Sequence, residues 1–360
     1  MLGIWFTNAC NLNCSYCYIK KKSNETIDVD LAVELICREL APNEIPLGVM
    51  FMGAESLTHF DELKEIVERV IAFESERRVV FFIATNGTLL TDEMKRWFEE
   101  HRDIVSLGLS YDGGDESQDM NRSNSSVHID RAFFRETWPK QPWKMTISES
   151  TAPYVDRDII ALQEQGVPFT ANVAYEEKAW SDESVLQYEL SLYRLADYYI
   201  KHPRINPCNL IVEIESVLDH PEEEKQPCYC SAGISMFFYD MKGTAYPCHM
   251  LSNLVMPEDK TLKGKFFDKN TDYEDPRCKR CAVKHTCYSC LGANYLYRGD
   301  IRFRDPLHCK LYQANLKASA HLWIGRLKGK EAYTEREKRI INATYKLLQA
   351  FGDGRIGMKH

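Results

Sequence analysis

The 360-residue chain has no apolar run of the roughly 18 residues that a membrane-spanning helix needs. Its first residues, Met-Leu-Gly-Ile-Trp-Phe, lack the basic and apolar regions of a secretory signal. It also lacks an excess of positive charge: 45 Lys and Arg stand against 53 Asp and Glu, a net charge of −8. A general nucleic-acid binder needs a basic surface, so that class is set aside. There is no repeat of fixed period and no low-complexity tract. These absences predict a cytoplasmic protein with neither a membrane nor a nucleic acid as partner. Apolar residues at 44% and charged residues at 27% are ordinary for a globular chain. The length suits one large domain or two.

What the chain has in excess is cysteine, 13 in all. Disulfides are rare in the cytoplasm, which points to metal. Cys10, Cys14 and Cys17 open the chain, Cys37 stands alone, and nine more fall between Cys208 and Cys309. The cysteine-free stretch between Cys37 and Cys208 alternates strand-like and helix-like segments. Short apolar runs predict strands at 2–8, 47–52, 79–84, 104–110, 143–148 and 168–174. Helical spacing links Leu31, Leu35, Ile36 and Leu40, and again Leu63, Ile66, Val67, Val70 and Ile71. Thr91 caps a third helix. A fourth starts near Pro153, and a long one covers about Ser184 to Ile200.

Six strand–helix units imply an α/β fold with a parallel sheet, a partial (β/α)6 TIM-like barrel open on one side. Chemistry in such folds sits at the C-terminal strand ends. Beyond about residue 205 the pattern changes. A β-hairpin is predicted around Lys242-Gly243, between Met236–Tyr239 and Thr244–Tyr246. A cysteine-rich stretch follows, and C-terminal helices run from Leu311 to about Leu327 and from Glu331 to Phe351. The predicted domains are 1–205, 206–310 and 311–360.

Cys10-x3-Cys14-x2-Cys17 lies in the loop after the first strand. Three thiolates on one loop can hold three irons of a 4Fe-4S cluster and leave the fourth iron open. A zinc site completed by a distant residue is the bland alternative. With the aromatic Tyr18 following, the motif resembles the signature of the radical S-adenosylmethionine (SAM) enzymes. Three further strand ends agree. The second carries Gly53-Ala54-Glu55-Ser56, similar to the family's Gly-Gly-Glu-Pro. The third carries Thr85-Asn86-Gly87-Thr88. The fourth carries Ser110-Tyr111-Asp112-Gly113, followed by Asp119 and Arg122. Ala54 and Ser56 depart from the family pattern, and Gln118 stands where His is common.

The resemblance implies reductive cleavage of SAM to a 5′-deoxyadenosyl radical, which takes a hydrogen atom from substrate. It implies that Glu55 accepts from the methionine ammonium, with Gly53 beside it among the cofactor-binding residues. Ser110 and Asp112 bond polar edges of the ligand, and Arg122 pairs with its carboxylate. Tyr18, Asn86 and Ser148 are further cofactor-binding candidates, with a turn or cap as the plainer reading of Asn86.

The C-terminal cysteines read Cys228-x-Cys230, Gly243-x4-Cys248, Cys278-x2-Cys281-x5-Cys287-x2-Cys290 and Cys309. This resembles the SPASM extension of the same family, except that Cys287-x2-Cys290 is one residue short. The resemblance implies two auxiliary 4Fe-4S clusters, three clusters in all. Cys230, Cys248 and Cys290 with Cys228 or Cys208 would hold one. Cys278, Cys281, Cys287 and Cys309 would hold the other. A zinc ribbon is the alternative. Cys37 reads as a core cysteine. His249, next to Cys248, is a candidate catalytic base, as is Glu176, which follows the sixth strand between Tyr175 and Glu177.

The implied activity is oxidative modification of a peptide or protein. It covers a thioether or carbon–carbon crosslink in a ribosomally made peptide, or side-chain oxidation as in anaerobic sulfatase maturation. Peptide epimerisation, a small-molecule radical cyclase or dehydrogenase, and a non-enzymatic iron–sulfur scaffold are the alternatives. Implied partners are the peptide or protein substrate and a low-potential electron donor of flavodoxin or ferredoxin type. Many peptide maturases begin with a leader-recognition domain. With the first cluster cysteine at position 10, that task is expected to fall to a separate leader-peptide-binding protein, to the helices after Leu311, or to no leader at all.

Overall fold

The computed structural model describes residues 1–20, 22–41, 45–73, 75–175, 180–217, 230, 232–262, 267 and 271–358. Two compact units emerge. One comprises Met1–Thr146, Gln165–Phe169 and Ser231–Thr271, the other Ile147–Glu164, Thr170–Cys230 and Asp272–His360.

In the first unit, strand β1 (Leu2–Thr7) is buried at every residue. Such a strand must be covered on both faces and paired on both edges. It pairs in parallel with β2 (Leu47–Gly53), which pairs with β3 (Val79–Thr85), and that with β4 (Val105–Leu109). β5 (Trp143–Ile147) and β6 (Phe169–Val173) form a separate two-stranded sheet, and one bridge, Ser110 to Lys144, joins the end of β4 to β5. All six predicted strands are present, and the α/β class with a parallel sheet holds. The hydrogen-bonded ladder nevertheless breaks after β4.

The free edge of β1 is taken by β7 (Phe237–Tyr239), in parallel, with β8 (Ala245–Tyr246) antiparallel to it. The predicted hairpin thus forms, and its first strand extends the main sheet. Helices Val29–Arg38 and Phe60–Ala72 pack together, and each buries one apolar stripe. Helix Asp92–Glu100 starts where Thr91 accepts a hydrogen bond from the Met94 amide, the predicted cap.

The second unit is mainly helical. Helix Asp182–Lys201 lies against helix Pro306–Leu327, which also contacts Glu335–Gly352. The central helix of the three is buried on several sides, so it lacks one apolar stripe. Gly325 lets it approach closely, because a Cβ there would collide with Ile200. This helix begins at Pro306, before the predicted Leu311. Asp305 caps it and accepts from the Leu307 amide, while Pro306 occupies the first turn, where a missing N–H costs nothing. Cys309 therefore sits in a helical first turn.

Candidate active site and metal centres

The loop after β1 carries Cys10, Cys14 and Cys17, all half-buried and free of disulfides. Burial raises the Cys10 and Cys14 thiols above their ordinary range. Cys10 feels the charge of Cys17, and Cys14 that of both Cys10 and Cys17, so the three lie within electrostatic reach of one another. The Cys10 sulfur accepts from the Leu12 amide at 3.4 Å. Among the described residues, no group of three or more His, Cys, Asp or Glu side chains closes on a single metal-ion position.

The loop is fastened to its neighbours by polar groups. Asn11 donates to Thr88 Oγ1 at 2.8 Å, and the Asn13 amide donates to Ser123 Oγ at 2.9 Å. The Ser15 amide donates to the Asn121 carbonyl. Ser123 and Asn124, just after Arg122, hold φ of 58° and 53°. A left-handed pair without glycine is a strain that the surrounding bonds maintain.

Gly53 ends β2 with φ +133°, and a Cβ there would collide with the Thr7 carbonyl oxygen. This glycine sets the turn that delivers Glu55, although Ala54 and Ser56 depart from the family pattern. Glu55 is buried. Its Oε1 accepts from Thr85 Oγ1 at 2.8 Å and from the Leu57 amide at 3.2 Å, and its Oε2 accepts from the Asn86 amide at 2.6 Å. A carboxylate has about four acceptor sites. Three are filled by the protein, which leaves one on Oε2. Burial raises the Glu55 carboxyl above its usual range, and these hydrogen bonds oppose the rise.

Asp112 is also fully buried, and its acceptors are all taken. Oδ2 receives Tyr16 Oη at 2.7 Å, Arg122 Nε at 3.0 Å and Asn121 Nδ2 at 3.1 Å. Oδ1 receives Arg122 Nη2 at 3.1 Å and the Thr146 amide at 2.9 Å. Nothing is left for a ligand, so the direct ligand contact expected of Asp112 gives way to a positioning role. It aims the buried Arg122 guanidinium, whose Nη1 stays outside the pairing. Gln118 supports this pair: its Oε1 accepts from the Asp112 amide at 2.9 Å and its Nε2 donates to Ser125.

Asn86 is likewise spent. Its Oδ1 accepts from the Thr88 amide and hydroxyl, and its Nδ2 donates to Asn11 Oδ1. It ties the β3 turn to the cluster loop, which is the plainer reading of this residue. The Ser110 hydroxyl bonds no other group among the described residues. Ser148 belongs to the second unit, in a turn where its hydroxyl meets those of Ser150 and Thr151.

Tyr16 was not legible from spacing. It lies between two cluster cysteines, bonds Asp112 and places its ring 5.3 Å from the Arg122 guanidinium. The aromatic, hydrogen-bonding residue in that gap was the available signal.

His249 sits among aromatic rings of the first unit: Tyr18 at 5.7 Å, Phe238 at 5.8 Å and Trp5 at 6.4 Å between centroids. Burial lowers its pKa to about 4. The ring is neutral at neutral pH and holds an added proton poorly, which favours packing over the base role expected of it. Glu176 and Cys228 lie outside the described residues.

In the second unit, Cys278, Cys281, Cys287 and Cys309 line one pocket, together with Arg304, His308 and Gln313. Burial pushes the Cys278 and Cys287 thiols up to about 12, and the nearby Arg304 charge opposes it. Arg304 is itself buried. Gln313 Nε2 donates to the Cys309 sulfur at 3.4 Å. All four predicted ligands of one auxiliary cluster are thus brought together.

Of the other predicted set, Cys230 and Cys290 lie within reach of each other's charge and of Tyr175. Cys248 belongs to the first unit. Cys248 and Cys290 each cap a short helix, their sulfurs accepting the Met250 and Ala293 amides at 3.4 Å. Cys208 is buried elsewhere in its unit, beside Tyr188 and the hydroxyl of Tyr199. Amide-capped thiols of this kind suit iron–sulfur ligation.

Residues 4–136 match the Radical SAM superfamily. An uncharacterized protein of Methanocaldococcus jannaschii is 33% identical over 270 residues, covering 73% of this chain and 87% of the relative. The cysteine-type anaerobic sulfatase-maturating enzyme of Clostridium novyi is 22% identical over 346 residues, 85% of this chain and 91% of that one. Among solved structures, native anSMEcpe with bound AdoMet and Cp18Cys peptide aligns with a TM-score of 0.66 at 17% identity. The alignment covers 96% of this chain and 99% of that one.

Proposed function

The chain belongs to the radical SAM superfamily, and from that premise we propose that it oxidises a side chain of a peptide or protein. The observation that carries the oxidative reading is the pocket where Cys278, Cys281, Cys287 and Cys309 surround buried space beside Arg304. Oxidation by one hydrogen-atom abstraction leaves a second electron to remove, and a buried cluster beside a fixed positive charge can accept it.

Cys10, Cys14 and Cys17 would hold the catalytic 4Fe-4S cluster. When bound, that cluster would supply the one electron that cleaves SAM to a 5′-deoxyadenosyl radical. The chain's own groups bind and orient. The last acceptor site of Glu55 takes the methionine ammonium. Arg122 Nη1 faces the carboxylate, held by Asp112 and Tyr16. The Ser110 hydroxyl is available to a polar edge of the ligand. Cys278, Cys281, Cys287 and Cys309 would hold one auxiliary cluster. Cys230 and Cys290 of the second unit are candidate ligands of another. Breaking a substrate C–H bond would move a hydrogen atom to the deoxyadenosyl carbon; the second electron would go to a cluster held by Cys278, Cys281, Cys287 and Cys309, and the proton to a base.

A peptide substrate is supported by the relatives: sulfatase-maturating enzymes in sequence, and a structural relative holding the Cp18Cys peptide. A low-potential donor of flavodoxin or ferredoxin type supplies the first electron, and a separate leader-binding protein delivers the substrate where a leader exists. The proposed compartment is the cytoplasm.

The test is anaerobic incubation of the reduced enzyme with SAM and a pool of short peptides fixed at a central cysteine or serine. The reading expects peptide-stimulated 5′-deoxyadenosine and a product lighter by two hydrogens. Formation of 5′-deoxyadenosine that ignores peptide, with no change in peptide mass, would contradict it.

A further inference from the structure

Resting on that peptide-modifying reading, we infer that the second unit receives its substrate as an added β-strand on the outer edge of β6. Parity identifies the edge. The Trp143 amide donates to the Pro168 carbonyl, and the Ala174 amide donates to the Ile147 carbonyl. Positions 168 and 174 therefore face β5, and so do the even positions between them. Ala171, Val173 and Tyr175 turn their backbone groups to the other side.

At Ala171 that side already pairs with an amide. Asn209 Oδ1 accepts from the Ala171 amide at 2.9 Å, and Asn209 Nδ2 donates to the Ala171 carbonyl at 2.7 Å. This two-bond exchange is the one that an adjoining peptide strand would make. Two residues on, among the described residues, Val173 has no partner for its outer N–H and C=O and no third strand joins this sheet. An open strand edge is a template for another chain.

The edge opens into a cavity of about 940 Å³ lined by Ala171, Val173, Tyr175 and Asn209. Tyr188 and Trp323 also line it. At the end of the edge, Tyr175 lies within the field of Cys230 and Cys290. A peptide paired at Val173 would run toward the cysteines assigned to an auxiliary cluster. Main-chain pairing supplies affinity without demanding a sequence, and alternate side chains supply selection.

The experiment is affinity selection from the same peptide pool, followed by backbone N-methylation along each retained peptide. Strand addition expects binding to fall at every second position. Val173→Pro, which removes the outer N–H, is expected to weaken binding about fivefold. Val173→Thr keeps the N–H and is expected to bind as the natural chain does. Retained peptides with no alternation and no response to Val173→Pro would overturn strand addition while leaving the peptide-modifying reading intact. If Val173→Pro fails to fold, the N-methyl pattern alone decides. A pool from which nothing is retained would overturn both.

Discussion

Cys10, Cys14 and Cys17 lie half-buried on a loop tied at its margins to the β3 turn and to the segment after Arg122. Cys278 and Cys287 are buried, and with Cys281 and Cys309 they share one pocket with a buried arginine. The ligand chemistry is the same and the surroundings differ. Beside the first set stand groups with spare capacity: one acceptor site on Glu55, one face of Arg122 and the Ser110 hydroxyl. Beside the second stand groups that serve the sulfurs themselves, Arg304 by charge and Gln313 by hydrogen bond. Three ligands with spare groups around them would suit a reactant, and four ligands gathered in one pocket would suit an electron.

The largest expected effect breaks this comparison on one side only. Changing Cys10, Cys14 and Cys17 together to Ala should abolish 5′-deoxyadenosine formation. Cys278→Ala with Cys287→Ala should leave that cleavage measurable while abolishing oxidised product, as chromatography of both products would reveal.

Next is Asp112→Asn. It leaves the buried Arg122 short of its charge partner, and such a loss costs about 3–5 kcal/mol. Urea unfolding of the apoprotein measures it.

Glu55→Gln is smaller. One oxygen becomes an amide donor facing the Asn86 amide or the Thr85 and Leu57 donors, at a cost of about 1–3 kcal/mol. The pH dependence has a definite sign. Burial raises the folded-state pKa of Glu55, so the native apoprotein holds that proton more tightly than the unfolded chain. Its contribution is full below the ordinary carboxylate range and is lost as pH rises through the raised value. Glu55→Gln should remove that slope, and should weaken SAM binding in equilibrium dialysis.

The subtlest changes sharpen the second side. Arg304→Gln removes a positive charge beside Cys278 and Cys287, which should shift an auxiliary cluster's potential to more negative values in spectroelectrochemistry. Gln313→Ala removes one hydrogen bond to Cys309 and should shift it the same way by less.

The strands were legible because short β-branched and aromatic runs recur between helical patterns, and the cysteines because ligand spacing is local. What escaped was non-local or a matter of saturation. No pattern in Phe237–Tyr239 announces that it will pair with Leu2–Ile4, more than 200 residues away. Asp112 and Asn86 stand at strand ends as ligand-binding residues do. Only their partners reveal that one aims Arg122 and the other ties a turn. The helix start at Pro306 was readable from Asp305-Pro306, but cysteine-rich sequence around it masked the cap. Helices Asp115–Asn121 and Arg131–Thr137 are too short for periodicity to reveal.

The central proposal is that one open and two auxiliary iron–sulfur sites share this chain. Iron, sulfide and zinc per chain after anaerobic purification test it most directly, for the natural protein and for the variant with Cys10, Cys14 and Cys17 changed to Ala. The account predicts about 12 irons falling to about 8, with matching sulfide. About 4 irons accompanied by zinc, falling to no iron in the variant, would contradict it.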